Sequence, residues 1–388
     1  MTGDHTGQVR ERLSRMQVAQ ATSSGRAAAR PDPARVDRLW ADLAGAGPLQ
    51  PLLEDPSVTD ILVNGPGPVW VDAGNGLGAR DVGLNDESAL RALAVRLAAA
   101  SGRRLDEATP FVDARLPGGA RLHAVLAPIS PVGTLISIRV PRARPFTMDE
   151  LVASGTVPAR WAPVLADIVR QRLGFLVSGG TGTGKTTVLS TLLSLADPSE
   201  RVLIVEDAVE LRPGLPHVVH LEARHPNNEG AGEVTLTDLV RQALRMRPDR
   251  LVVGECRGAE VRDLLAAMNT GHEGGCGTIH ANNATDVPAR LEALGSLAGL
   301  GRSAVAAQAA SALDVVVALR REGHRRVVAQ LGLVTRGRHG LDVLPALSRD
   351  AVREWVPGPG WELLQRRLEG CDPLGDGNRD EPGCGHGA

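Results

Sequence analysis

The 388-residue chain has no tyrosine, and aromatic residues make up only 2% of it. Its core must therefore be built from Leu, Val, Ile and Ala. The shortage also argues against nucleic-acid binding by base stacking, which uses aromatic platforms. Cysteine is equally scarce, at four residues without C-x-x-C spacing. Cys256 and Cys276 lie in apolar or glycine-rich segments, and Cys371 and Cys384 lie in the tail. A reduced, cytoplasmic setting is the default for such usage. Charge of one sign is lacking too: the formal net charge is −2, which gives no global attraction to nucleic acid or anionic lipid. Long apolar runs are missing. The longest, 304–319, is broken by Gln308 and Asp314, short of the roughly 18–20 residues a membrane span needs. Residues 1–30 have no apolar core of a signal peptide. A membrane role would thus go through a partner.

Lysine is almost absent. Of 43 basic residues Lys185 is the only lysine, leaving 42 arginines (43 − 1). It stands in Gly179-Gly180-Thr181-Gly182-Thr183-Gly184-Lys185-Thr186-Thr187, which fits G-x-x-x-x-G-K-[ST]. The apolar run 174–178 before it reads as a buried strand, and 188–193 after it as the first turns of a helix. Strand, loop and helix together are the context of a phosphate-binding loop. Such a loop turns successive N–H groups and a helix N-terminus toward an anion. Lys185 would reach the β- and γ-phosphates, and the Thr186 hydroxyl would sit on Mg²⁺. A glycine-rich turn with a chance Lys-Thr would be a poor account of where the sole lysine falls.

Two patterns of apolar spacing divide the chain. Residues 31–145 read as a small α+β domain, with strands at 61–63, 69–71, 111–116, 120–126 and 135–140 and a helix at 88–100. Helices are also expected over 9–21, 32–43 and 48–53. Prolines 141 and 145 mark a linker. Strands and helices then alternate over 146–350, as a parallel α/β sheet requires. The strands are expected at 202–205, 251–254, 277–280, 315–319, 327–334 and 341–344. The helices are expected at 164–172, 236–246, 259–268, 284–294 and 304–312. Residues 1–30 and 351–388 read as mostly disordered extensions, the latter glycine-rich and polar from Asp372.

Carboxylates fall where strands end. Glu206, Asp207 and Glu210 follow one apolar run, and Glu255 follows another. Ligands of parallel sheets bind at the carboxyl ends of strands, so both ends are expected beside the phosphate loop. An apolar strand closed by an acid is the Walker-B pattern, holding Mg²⁺ directly or through water. A second carboxylate can take the proton of an attacking water. His272, Cys276 and His280 could suggest zinc, but they lack a fourth ligand and a rigid scaffold. A polar network of the histidines near the γ-phosphate is the better expectation. His220 reads as structural.

The stretches 244–260, 267–274 and 278–282 resemble the type II/IV secretion ATPases, and within them the CpaF/TadA branch that drives tight-adherence (Flp-type) pilus assembly. Residues 58–66 and 113–122 are similar to that family's first domain. The resemblance implies a RecA-like P-loop domain behind an N-terminal α+β domain, with Mg²⁺ and ATP. It makes Glu210 the catalytic glutamate, Glu206 and Asp207 its "Asp box" neighbours, Glu255 the Walker-B acid, and His272 and His280 the "His box". Arg257 is implied as a further coupling residue. Arg115, Arg121 and Arg139 resemble arginines that contact nucleotide in the family. A cytoplasmic homo-hexamer is implied, acting on a polytopic inner-membrane platform protein without direct nucleic-acid contact. The other reading is a nucleotide-dependent coupling protein of conjugal DNA transfer. This chain departs from the family in having Gly275-Cys276-Gly277 where members often show Ser-Leu.

Overall fold

The computed structural model describes residues 45–74, 76–141, 144–224, 226, 231–323, 325–337, 340–350 and 355–370. The chain forms two compact units, Met1–Ala143 and Arg144–Ala388. The expected helices over 9–21 and 32–43, residues 1–30, and the tail from Asp372 lie outside the described residues.

The first unit opens with α1 (Gln50–Glu54) and continues through β1 (Asp60–Asn64), β2 (Val69–Asp72), β3 (Leu77–Arg80), α2 (Glu87–Ala100), β4 (Phe111–Arg115), β5 (Arg121–Val125) and β6 (Leu135–Arg139). Its six strands form an antiparallel sheet in the order β3-β2-β1-β6-β5-β4. Strict alternation turns Ile61, Val63, Val69, Val71, Leu122, Ala124, Ile136 and Ile138 to one face. There they join Leu90, Leu93, Ala94, Leu97 and Ala98 of α2 in one core. The Asp86 side chain caps α2 by accepting from Ala89 N–H at 2.8 Å. The Glu87 carboxylate accepts from the Thr134 N–H and hydroxyl, at 3.0 and 2.7 Å, and ties the helix to the entry of β6. The opposite face of the sheet is open to solvent.

The second unit runs α3 (Met148–Ala153), α4 (Ala162–Arg170), β7 (Phe175–Ser178), α5 (Lys185–Leu193), β8 (Val202–Glu206), β9 (Val218–Glu222), α6 (Leu236–Ala243), β10 (Arg250–Cys256), α7 (Glu260–Met268) and β11 (Cys276–Ile279). It ends with α8 (Val287–Leu297), α9 (Arg302–Ala312), β12 (Val315–Glu322), β13 (Arg325–Gly337), β14 (Gly340–Ser348), β15 (Val356–Pro357) and α10 (Trp361–Leu368). Nine strands make one sheet in the order β15-β14-β13-β12-β7-β11-β10-β8-β9. From β12 to β9 all neighbours are parallel; β13, β14 and β15 extend the sheet antiparallel. Helices cover both faces, so β7 and β8 are buried at every residue and read as unbroken apolar runs. Leu176, Leu203, Leu251 and Val316 pack on α6, α7, α8 and α9. Phe175, Val202, Val252 and Val315 pack on α3, α4, α5 and α10.

One expectation needs correction. The segment 355–370 is folded rather than part of a disordered tail. Leu364 of α10 is fully buried, and Trp361 stands edge-to-face with Trp355 at 5.0 Å. The Arg160 guanidinium lies over the Trp355 ring at 4.8 Å. Trp361, Leu364 and Leu368 recur at helical spacing, a signal diluted by the glycine-rich sequence beyond it.

Candidate active site

The phosphate-loop signature lies at the carboxyl edge of the parallel core, between β7 and α5. Gly182 and Gly184 take φ of 71° and 91°, a conformation that side chains resist. Gly184 is thereby the N-cap from which α5 starts at Lys185. The lysine is buried, with 8% of its surface exposed. Its Nζ donates to the Gly179 and Gly180 carbonyls at 3.1 and 3.2 Å, and to His280 Nε2 at 3.3 Å. The Thr183 hydroxyl donates to the Gly180 carbonyl at 2.8 Å and braces the same turn. Burial pulls the Lys185 ammonium below its ordinary pKa; Glu255 pushes it back up, Arg257 pulls it down again, and Glu210 adds a smaller upward push. Both candidate carboxylates therefore act on the lysine. Thr186 and Thr187 follow in the first turn of α5, each half-buried.

Glu255 sits near the end of β10. Arg257 forms an ion pair with its Oε2 and also reaches Asp207, at 3.8 Å. His280 Nε2 is 2.7 Å from Glu255 Oε1, in an orientation that leaves this oxygen without an aligned hydrogen bond. The same nitrogen faces the Lys185 ammonium. Nε2 thus stands between a cation and a carboxylate oxygen, at 3.3 and 2.7 Å. Burial and the neighbouring Lys185 charge hold His280 below the usual histidine pKa, against an upward pull from Glu255. A chain of contacts thus runs Lys185, His280, Glu255, Arg257, Asp207.

Glu206 behaves differently from its acidic neighbours. It is 4% exposed, and its Oε1 accepts from the N–H groups of Glu210 and Leu211 at 3.1 and 3.0 Å. Its Oε2 has no hydrogen bond, and His220 Nδ1 stands 3.6 Å away. The space it occupies is reserved: a methyl on Gly254 would come 2.6 Å from Glu206 Cγ. Glu206 holds the backbone that carries Glu210.

In the first unit, strand register aligns the three arginines named from sequence. Arg115 pairs with Arg121, and Arg121 with Arg139, across β4, β5 and β6. Asp60 of β1 continues the row and lies 3.4 Å from Arg139. Partners so aligned have side chains roughly 4.5–5.5 Å apart at Cβ, and like charges there repel. Asp60 offsets part of that repulsion at Arg139, and an anion reaching the row would offset more of it.

The model of the "Type II/IV secretion system protein" family matches residues 42–328. The chain belongs to this family. It is 56% identical over 299 residues to the "Putative conjugal transfer protein Rv3659c" of Mycobacterium tuberculosis, covering 74% of this chain and 84% of the relative. It is 34% identical over 313 residues to the "Type IV secretion system protein PtlH" of Bordetella pertussis, covering 73% and 92%. Its fold resembles the pilus retraction motor PilT, at TM-score 0.53 and 21% identity over 82% of this chain and 84% of that one. It also resembles the ATPase DotB of Legionella pneumophila, at TM-score 0.51 and 19% identity over 74% and 80%.

This member of the secretion family departs from the sequence reading in two places. The Glu206 and Glu255 strands do not adjoin β7, because β11 lies between β7 and β10, and β8 lies beyond β10. His280, at the end of the inserted strand, bridges the gap. The second departure is His272, which does not share a network with His280. His272 precedes β11 and His280 follows it, so the strand Cys276–Ile279 separates them, at about 3.3 Å per residue. His272 Nδ1 instead contacts the Ala267 carbonyl at 3.2 Å, at the end of α7. Cys276 lies at the same amino edge of the sheet, fully buried, its thiol pushed up to about 12 by burial.

Arg250 was not anticipated. It opens β10 with no exposed surface. Its Nε and an Nη donate to the Glu200 carboxylate at 2.9 and 3.2 Å, and the guanidinium also donates to the Gly274 and Val169 carbonyls. It fixes the turn that carries His272. The only sequence signal was an arginine opening an otherwise apolar strand.

Proposed function

We propose that this chain is an ATPase, splitting ATP to ADP and phosphate and passing the resulting domain motion to a secretion or pilus machine. One observation carries the reading. The sole lysine is enclosed by its own glycine loop, and Glu255 and Glu210 both press on its charge. Gly179 and Gly180 carbonyls are weak partners for an ammonium, and phosphate oxygens are strong ones. On binding, Lys185 leaves them for the β- and γ-phosphates. Thr186 and Glu255 offer oxygens for Mg²⁺ arriving with the nucleotide, Glu255 directly or through water. The ion, when bound, neutralises charge developing on the transferring phosphoryl group.

Glu210 is the better base. The Glu206 carboxylate fixes the backbone that carries Glu210, the Glu210 charge acts on Lys185, and Glu255 faces Arg257 and His280. A water oxygen attacks the γ-phosphorus, its proton passes to Glu210, and the bond to the β-phosphate bridging oxygen breaks, releasing ADP. Asp207 and Arg257 form the outer end of this network and respond when Glu255 changes partners. The arginine row of the first unit contacts the nucleotide in a homo-hexamer, and its engagement couples hydrolysis to domain motion. The ring works at the cytoplasmic face through a polytopic platform protein, as in Tad/Flp-type assembly. Among the described residues no helix is long and apolar enough to cross a membrane.

A second reading, a coupling protein of conjugal DNA transfer, is favoured by the name of the 56% identical relative. ATP turnover measured with and without DNA, and with and without the membrane partner, separates the two. Stimulation by the membrane partner alone supports the motor. Stimulation by DNA alone supports the coupling protein. Lys185→Ala is expected to abolish turnover with its circular dichroism unchanged; retained turnover would end the ATPase reading.

A further inference from the structure

β12 runs parallel to β7 with Ala318 opposite Ser178, so its last residues continue beside the phosphate loop. The approach is close: a methyl built on Gly179 would lie 2.9 Å from the Leu319 carbonyl oxygen. The chain then returns as β13, with Arg326 paired opposite Arg321. Arg326 is exposed, and a methyl on Gly184 would stand 3.5 Å from its Cδ. The aliphatic stem of Arg326 therefore rests near the residue that caps α5, one position before Lys185. Its neighbours are engaged. Arg320 pairs with Glu322, and Arg321 Nε donates to the Gly323 carbonyl at 3.0 Å. Among the described residues Arg326 has no carboxylate partner, and its cross-strand neighbour is another arginine. Like charges directly opposed in an antiparallel pair repel, so the pair gains from an anion between or beyond them.

We propose that Arg326 is a nucleotide contact supplied by the same chain, closing on the diphosphate of bound ATP or ADP from the β12 side of the loop. Glu255 and His280 reach the loop from β10 and β11, across β7 from β12. The γ-phosphate, where water is activated, belongs on that carboxylate side. The guanidinium on the opposite side meets the α- and β-phosphates, which ATP and ADP share. A planar, two-pronged donor suits such oxygens better than an ammonium does. This inference rests on the ATPase reading.

Titration of the full chain with a fluorescent ADP, and competition by ATP and AMP, tests it. Arg326→Ala is expected to weaken ADP and ATP alike, by about tenfold, the range of one charge-assisted hydrogen bond. Arg326→Lys should recover part of the loss, and Arg321→Ala should change little. Unchanged ADP affinity in Arg326→Ala would overturn the proposal, as would a loss confined to ATP, which would move the contact to the γ-phosphate. An equal loss for AMP would confine the contact to the nucleoside and its α-phosphate, leaving the β-phosphate out, and would also overturn it. If the native chain bound no ADP at all, the ATPase reading itself would fail.

Discussion

His280 puts one ring nitrogen between a cation and a carboxylate. Nε2 accepts from Lys185 only while it carries no proton. Its pKa in the folded chain lies below the ordinary histidine value because of burial and Lys185. The folded state thus binds fewer protons here than the unfolded state. The sign follows: the contribution to stability and to loop geometry is present above the ordinary histidine pKa and is lost as pH falls through the lowered one. Acidification puts a second cation beside the Lys185 ammonium. Turnover is expected to fall on the acid side, and His280→Gln should flatten that limb while lowering the plateau. A pH–rate profile of both chains checks this; an unchanged acid limb in His280→Gln would locate the titration elsewhere. Lys185 could be picked out of the sequence because it was alone. The role of His280 could not, since it depends on β11 lying next to β7. Glu206 shows the same limit. Three acids within five residues look equivalent in sequence, and only burial shows that one of them supports the backbone of another.

Glu210→Gln and Glu255→Gln separate roles at the same scale. Each should lower turnover by about 10²–10⁴, the range of a lost general base, while affinity for ATP survives. Rapid-quench turnover together with nucleotide titration distinguishes them. If only one slows hydrolysis, that one is the base, and the other positions the metal or the loop.

At the scale of elements, the amino edge of the parallel sheet is pinned by Arg250 and Glu200. This pair joins the end of α4, the start of β10 and the turn before β11. Arg172 adds a second contact to Glu200 at 3.2 Å. Removing one partner of such a buried pair strands the other charge, at about 3–5 kcal/mol. Glu200→Ala is expected to lose stability in that range in urea denaturation. The double variant Glu200→Leu, Arg250→Met should recover part of it, because no isolated charge is then left inside. A double variant no better than the single one would argue against a stranded charge. The knot left almost no trace in sequence, where Glu200 belongs to a polar turn and Arg250 looks like one arginine among many. Elements with strong periodicity were legible: α2, the strands of the first sheet other than β3, and β7 to α5. β3, exposed at every residue, was not, because it is held by pairing to β2 and buries no face. β9, at the edge of its sheet, was missed because it lacks clean alternation.

At the scale of the whole molecule, each of the two units carries a cationic feature of its own. The second holds the glycine loop and its carboxylates. The first presents Arg115, Arg121 and Arg139 side by side on an open face. If the row serves the nucleotide of an adjoining subunit, two inactive chains should repair each other. A Lys185→Ala chain keeps intact arginines, and an Arg121→Ala chain keeps an intact loop. Mixed before assembly, they create interfaces in which a sound loop meets a sound arginine row. Turnover is expected to appear in the mixture although neither chain shows it alone. The mixing ratio should matter, with a maximum near equal amounts, since both chains must meet at one interface. A mixture as inactive as its components would assign the row to the nucleotide of its own chain or to a different anion. Circular dichroism and sedimentation of the mixture would exclude failure to fold or assemble as the cause.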